Sequence, residues 1–239
     1  MGGTEIWGQL CAECLRHIFG ALPLGAGGVA IAHVYGGPHP YELIPLDIVG
    51  YVVAAYLLIA HGYMLAKPAF CKGWLIKLPR HYNAGVYTLG LGMVWFWLLV
   101  APDHIKGPFS FLSALALDIG EFNAVKPYLR LAVPAAYVLM VLYVREFLFV
   151  RGLGVVALMA AGPILEAAFL REPATRLLLS VFAYVLLTKG LFWVGMPYTF
   201  RDAVTWATAN EKRWRLLTLG GLAYGVVVMV CAVAFWRGH

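Results

Sequence analysis

Six apolar segments, each about as long as a bilayer is thick, are the feature of this sequence that most limits its fold. A helix that crosses a membrane needs about 20 mostly apolar residues. Lipid tolerates no unpaired backbone polar groups, which favours helices over irregular structure. The sequence therefore predicts an all-α, polytopic integral membrane helix bundle with six firm spans: Leu46–Ala66, Ala84–Ala101, Leu129–Leu148, Leu153–Leu170, Leu177–Met196 and Leu216–Trp236.

The composition indicates a chain with little surface in water. Of its 239 residues, 62% are hydrophobic and 13% are charged, whereas a soluble domain carries about 25% charged residues. The net charge is +6, but the basic residues flank apolar segments instead of forming a basic, aromatic-rich patch, so nucleic acid is not an expected partner. No hydrolase, nucleotide-binding or zinc-protease motif is present. We therefore expect a protein that is not an enzyme by itself.

The distribution of charge predicts the orientation. The loops Lys67–Arg80 and Arg201–Arg215 each carry four Lys or Arg residues, whereas Gly36–Asp47 carries none. By the positive-inside rule, both basic loops lie in the cytoplasm, and the C-terminus lies outside a cell (inner or plasma) membrane. A glycine-rich segment, Ile18–Tyr35, is a probable seventh span; re-entry or a surface position remains an alternative.

Short matches along the chain indicate internal repeats. Ala55–Gly62 resembles Ala183–Gly190, and the triplet Thr88–Gly90 matches Thr218–Gly220 in the following segment. A fainter copy begins at Ala136. We therefore expect two or three parallel helical-hairpin repeats. The predicted organisation is an N-terminal interfacial or weakly spanning segment (1–44), a six-helix bundle (45–239) with hairpins 45–101, 129–170 and 177–236, and an interfacial helix near 109–119.

Three residues inside the spans are candidates for binding a cofactor. His61 near the end of its span is either a ligand to haem or chlorophyll or a hydrogen-bonded histidine between helices. Trp95 and Trp97 lie within a span, where they face a pigment, a quinone, a neighbouring subunit or lipid. Bound lipid is expected, and haem, quinone and pigment stay open. Other tryptophans lie near span ends, as in an aromatic belt, among them Trp193, Trp206 and Trp214.

Ionisable residues inside the spans are candidates for a polar site. Lys189 is either paired with Glu166 or Glu146 or extends its ammonium to water. Glu146 is expected at the headgroup boundary, in a tight cytoplasmic turn with Arg145 and Arg151.

Small residues predict close helix contacts. Gly221 and Gly225 form a G-x-x-x-G motif, and Gly90 and Gly92 lie at a comparable depth. Cys11 and Cys14 are a C-x-x-C pair, which fits two small apolar residues, a redox pair or an incomplete zinc site.

Two functions follow from these features. The first is a non-catalytic integral membrane subunit of a multi-subunit energy-transducing complex, respiratory or photosynthetic, with other membrane subunits as partners. The second is a small transporter or channel with a polar site near Glu166, Lys189 and His61. A lipid- or quinone-modifying enzyme is a weaker third reading.

Overall fold

The computed structural model describes residues 39–102 and 115–237, and the regular structure in these ranges is helical throughout. The predicted span Ile18–Tyr35 and the pair Cys11 and Cys14 lie outside the described residues. Residues 109–114 of the predicted interfacial helix also lie outside the described residues. Residues 115–119 of that helix are described and are not helical.

Eight α-helices follow one another in the described ranges. They are α1 (Leu46–Ala66), α2 (Pro68–Lys77), α3 (Tyr82–Leu99), α4 (Lys126–Tyr143), α5 (Leu148–Ala168), α6 (Leu177–Gly195), α7 (Tyr198–Thr208) and α8 (Glu211–Ala234). Three short 3-10 helices, Leu78–Arg80, Gly120–Val125 and Ala174–Arg176, lead into α3, α4 and α6.

Five of these helices are long and apolar enough to cross a membrane: α1, α4, α5, α6 and α8. The chain is thus an all-helical protein of the multi-pass membrane type. Helix α3 forms over most of the predicted span Ala84–Ala101, but it is not among the five. Its glycines, tyrosines, tryptophans and Asn83 lower the mean hydropathy of the helix.

One predicted boundary is wrong. The expected span Leu129–Leu148 ends at Tyr143, and Leu148 is the first residue of α5. Phe147 between the two helices has a φ of 56°, in the left-handed region that interrupts a right-handed helix. Arg145 and Glu146 lie in this turn, but the predicted span runs past them because the apolar residues Phe147 and Leu148 follow.

Extensive helix packing joins α5 to α6, α1 to α8, and α3 to α5. Each of these pairs joins helices from different predicted hairpins. Helices α3 and α5 run parallel, because Gly85 lies against Leu148 while Gly92 lies against Val155. A Cβ built on Gly152 would come 2.5 Å from the backbone N of Leu89, so glycine is what allows these two backbones to approach.

The charges divide unequally between the two ends of the bundle. We call the end where α1, α4 and α6 finish and α3, α5 and α8 begin the basic end. Three carboxylates lie at or near it: Glu146, Asp202 and Glu211. Eleven cations accompany them: Lys67, Lys72, Lys77, Arg80, Arg145, Arg151, Lys189, Arg201, Lys212, Arg213 and Arg215. At the opposite end, the described cations are Lys126, Arg130, Arg171, Arg176 and Arg237, and the carboxylates are Glu42, Asp47, Asp118, Glu121, Glu166 and Glu172.

The buried core joins α1, α5, α6 and α8 in the half of the bundle away from the basic end. Trp236 is fully buried, and its indole N–H donates to the hydroxyl of Thr175 at 2.8 Å. The hydroxyl of Tyr224 on α8 donates to the carbonyl of Leu178 on α6 at 2.6 Å. These bonds hold α6 and α8 together at this end.

Candidate functional site

His61 lies between α1 and α8. Its Nδ1 is 2.9 Å from the carbonyl oxygen of Leu57, so Nδ1 carries the proton, since a carbonyl can only accept. A Cβ built on Gly221 would come 2.1 Å from His61 Nε2. The imidazole therefore fills the space that glycine leaves open, and this packing favours a hydrogen-bonded interhelical histidine over a cofactor ligand, which needs a free coordinating nitrogen.

Trp95 and Trp97 take part in two separate contacts. The indole N–H of Trp95 donates to the hydroxyl of Tyr41, in the turn before α1. Burial raises the pKa of the Tyr41 phenol, and the bond from Trp95 opposes that rise. The indole N–H of Trp97 donates to the carbonyl of Arg130 on α4. The two tryptophans thus tie α3 to different segments and do not face one common site.

Trp97 also lines a small apolar cavity between α3 and α4. The cavity has a volume of about 330 Å³. Its lining consists of Gly90, Met93, Val94, Trp97, Val133, Pro134 and Tyr137. It offers room for an apolar group but no charged partner.

The three intramembrane candidates for a polar site are dispersed. Glu166 is exposed near the end of α5, and Glu146 is exposed in the turn between α4 and α5. Gly190 contacts Leu158, so Lys189 is level with a part of α5 about 12 Å along the axis from Glu166. In the described part of the chain, no hydrogen bond or ion pair joins any two of His61, Glu166 and Lys189.

The predicted packing glycines lie at helix contacts. Gly221 and Gly225 both face α1: a Cβ on Gly225 would come 2.9 Å from Leu57 Cβ. Gly90 faces the ring of Tyr137 on α4, and Gly92 faces Val155 on α5. Helix α3 therefore uses Gly90 and Gly92 to admit two different neighbours.

A cleft lies at the basic end between α6 and α8, covered by α7 and α2, and we call it the aromatic cleft. Its volume is about 470 Å³, within the range of about 300–1,000 Å³ that ligand sites occupy. It is lined by Leu75, Thr188, Lys189, Phe192, Trp193, Thr199, Phe200, Ala203, Val204, Trp206, Ala207, Trp214 and Leu217.

Contacts among the lining residues and with neighbouring helices hold the aromatic walls of the cleft. The rings of Trp193 and Phe200 meet edge to face, with centroids 5.3 Å apart, which fixes α7 against the end of α6. Trp214 is buried, and its indole N–H donates to the carbonyl of Met64 at 3.4 Å. The ammonium of Lys72 lies 5.4 Å from the Trp214 ring centroid. These contacts place the walls on three consecutive helices, α6, α7 and α8.

Lys189 is the one formally charged residue among those that line the aromatic cleft. The hydroxyls of Thr188 and Thr199 are used locally, donating to the carbonyls of Tyr184 and Met196 at 2.8 and 2.7 Å. Within the described ranges, the Lys189 ammonium has no hydrogen-bond or ion-pair partner. The cleft thus combines apolar walls with one available cation, which suits a molecule with an apolar body and a polar or anionic head.

Sequence reasoning missed this cleft because it assigned Trp193, Trp206 and Trp214 to an aromatic belt. One local signal was present: Lys189 and Trp193 are four residues apart, so they share a helix face. The approach of Trp206 and Trp214 to that face depends on how α7 folds back, which no local pattern encodes.

Arg151 is a second polar residue that sequence reasoning placed only at a boundary. Its Nη1 donates to the carbonyl of Val194 at 2.7 Å, near the C-terminal end of α6. A cation there complements the negative end of the helix dipole. Its Nε is buried and has no hydrogen-bond partner in the described part of the chain. Arg151 is therefore a link between α5 and α6 and not a free headgroup contact.

Comparisons with known proteins returned nothing similar to this chain: no protein-family model matches it. No curated protein and no solved structure matches it either. The functional argument therefore rests on the geometry of the described residues.

Proposed function

We propose that the chain is a non-catalytic integral membrane subunit of a multi-subunit energy-transducing complex, respiratory or photosynthetic. The observation that carries the proposal is that α4 combines low hydropathy with little burial. Of the five candidate spans, the one formed by α4 and its leading 3-10 turn has the lowest mean hydropathy, 1.4 against 1.8–2.3, and the smallest buried share, 11%. A helix that is both the least apolar and the least covered fits a surface that another membrane subunit covers.

Charge and packing support a finer topology of six spans. Helix α3, 18 residues long, runs parallel to α5 along much of its length, which suits a sixth crossing. The eleven cations of the basic end support a cytoplasmic position for that end, and we propose that the C-terminus lies outside and the protein in the cell membrane. The two or three hairpin repeats stay a prediction that only the sequence matches support.

The proposed partners are lipid and other membrane subunits. The exposed face of α4 carries Tyr128, Leu131, Val138, Leu139 and Leu142, and it is the surface we assign to the neighbouring subunit. Haem, quinone or pigment would then belong to the complex and not to His61, whose ring is already packed against α8.

Gentle solubilisation from native membranes tests the proposal. A photo-crosslinking residue at position 139, on the exposed face of α4, should capture a membrane protein of an electron-transfer complex. The same residue at Val52, exposed on α1, is the matched control and should give much less of that product. Migration of the chain as a lone monomer without cytochromes or pigments would contradict the proposal.

A small transporter or channel is the second candidate, and the observation that favours it is the available ammonium of Lys189 in an open cleft. Solute flux in liposomes that contain only this chain, lost on Lys189→Met substitution, would support transport over the subunit role. The dispersed positions of Glu166 and His61 argue against a continuous polar path.

A further inference from the structure

We propose that the aromatic cleft binds a lipid with an anionic oxygen headgroup, with its head paired with Lys189 and the adjoining part of the lipid against the aromatic walls. A fatty acid and an acidic phospholipid share this chemistry. The inference concerns the cleft alone and does not depend on the subunit proposal.

The shape of the cleft suits an acyl chain that enters sideways from the membrane. Six lining residues are exposed on the surface of the bundle: Thr188, Lys189, Phe192, Ala203, Trp206 and Leu217. The cleft is therefore open to lipid along its side. At the opposite end of the same helices, the bond from Tyr224 to Leu178 holds α6 and α8 together.

The charges around the cleft select an anion. No carboxylate lines it, and two of the three carboxylates at the basic end are already paired. Asp202 accepts from Arg201 at 2.9 Å, and Glu211 is paired with Lys72. The third, Glu146, is exposed in the turn between α4 and α5. A cation inside a span is costly unless it is paired, and an anionic headgroup supplies the partner that the described residues do not.

The depth of Lys189 fits a headgroup. It lies six residues before Gly195, the last residue of α6, which corresponds to about 9 Å of helix rise. A lysine side chain extends its ammonium toward the polar region from such a depth. An ammonium extended in this direction reaches the level of Trp193, which is two residues from the end of α6, so the headgroup would lie at the level of the aromatic walls.

Lipid titration of the full chain, purified in a neutral detergent, tests the proposal. The probes are phosphatidylglycerol, oleate and phosphatidylcholine, and the readouts are the thermal unfolding midpoint and lipid retention in native mass spectrometry. We expect phosphatidylglycerol, oleate or both to raise the midpoint and be retained, and phosphatidylcholine to do neither. Which of the two acidic probes binds identifies the source of the anion.

Two variants assign the binding to the cleft. Lys189→Met should weaken affinity for the acidic lipid about fivefold, as expected for the loss of one cation–headgroup attraction. Lys77→Met, which removes an exposed cation of α2 outside the cleft, is the matched control and should leave affinity unchanged. Ala207→Phe keeps the charge and fills part of the cleft, so it should also weaken binding, which provides a test if the Lys189 variant fails to fold.

Three results would overturn the proposal. The first is an equal response to phosphatidylcholine and to both acidic lipids. The second is the same affinity in the Lys189 and Lys77 variants. The third is tight binding of a neutral quinone analogue that Lys189→Met does not alter, because that result would assign the cleft to an uncharged ligand.

Discussion

The indole N–H of Trp97 donates to the backbone carbonyl of Arg130, with 3.1 Å between Nε1 and O. Pro134 follows Arg130 by four residues inside α4 and has no N–H to return to that carbonyl. Trp97 supplies the missing donor from α3. Arg130 in turn donates to the carbonyls of Val100 and Ala101, at 2.7 and 3.3 Å, where α3 ends. Each helix thus satisfies backbone groups that the other cannot satisfy by itself.

Replacing Trp97 by Phe should destabilise the bundle by about 1–3 kcal/mol, because the Arg130 carbonyl loses its donor inside the membrane. The measurement is the free energy of unfolding in detergent. Trp74→Phe, at an exposed position on α2, is the control. Adding Pro134→Ala to the Trp97 variant should recover part of the loss, since alanine restores the helical N–H. A full-sized loss in the double variant would show that ring packing and not the hydrogen bond is responsible.

Gly221→Ala should destabilise the contact between α1 and α8, because the new Cβ would come 2.1 Å from His61 Nε2. Overpacking of this kind costs about 1–3 kcal/mol. Gly220→Ala is a close control, since a Cβ at Gly220 meets nothing within 4 Å in the described structure. Thermal unfolding should separate the two variants by several degrees. His61→Ala should relieve the Gly221→Ala defect, and equal midpoints for the two alanine variants would refute this packing.

Arg151→Met should loosen α6 from α5. It removes the bond to the Val194 carbonyl and the cation at the helix C-terminus, at a cost of about 1–3 kcal/mol. Arg145→Met, in the exposed turn before α5, should change stability little. Hydrogen exchange near Gly195 reports the effect directly: the amides there should exchange faster in the Arg151 variant alone.

Cys71 on α2 is buried at 6% exposure, and burial raises the pKa of its thiol. In a chain whose other cysteines are replaced by serine, maleimide should react with Cys71 far more slowly in the folded protein than after unfolding. The folded state favours the protonated thiol. Its contribution to stability is complete below the unfolded pKa of about 8.5, and it is lost as the pH rises through the raised pKa. Rapid labelling at neutral pH would contradict this burial.

The helical class and most helix positions could be predicted from the sequence. An apolar segment long enough to cross a membrane has few structures open to it in lipid other than a helix. The span Leu46–Ala66 matches α1 at both ends. The end of α4 was predicted too late, because the apolar residues Phe147 and Leu148 follow the charged residues Arg145 and Glu146. Which helices pack against one another could not be predicted from the sequence. The approach of Gly152 to Leu89 depends on small residues that are distant in sequence. The aromatic cleft depends on the path of α7.

The pairing of α1 with α8 also bears on the order in which the protein is made. Helix α1 leaves the ribosome before every other described helix, and its partner leaves last. Until translation reaches residue 211, the surface around Leu57 and His61 has no α8 to cover it. A chain that stops short of this point would present an imidazole to lipid. The contact between α1 and α8 therefore forms only after every helix between them has been synthesised.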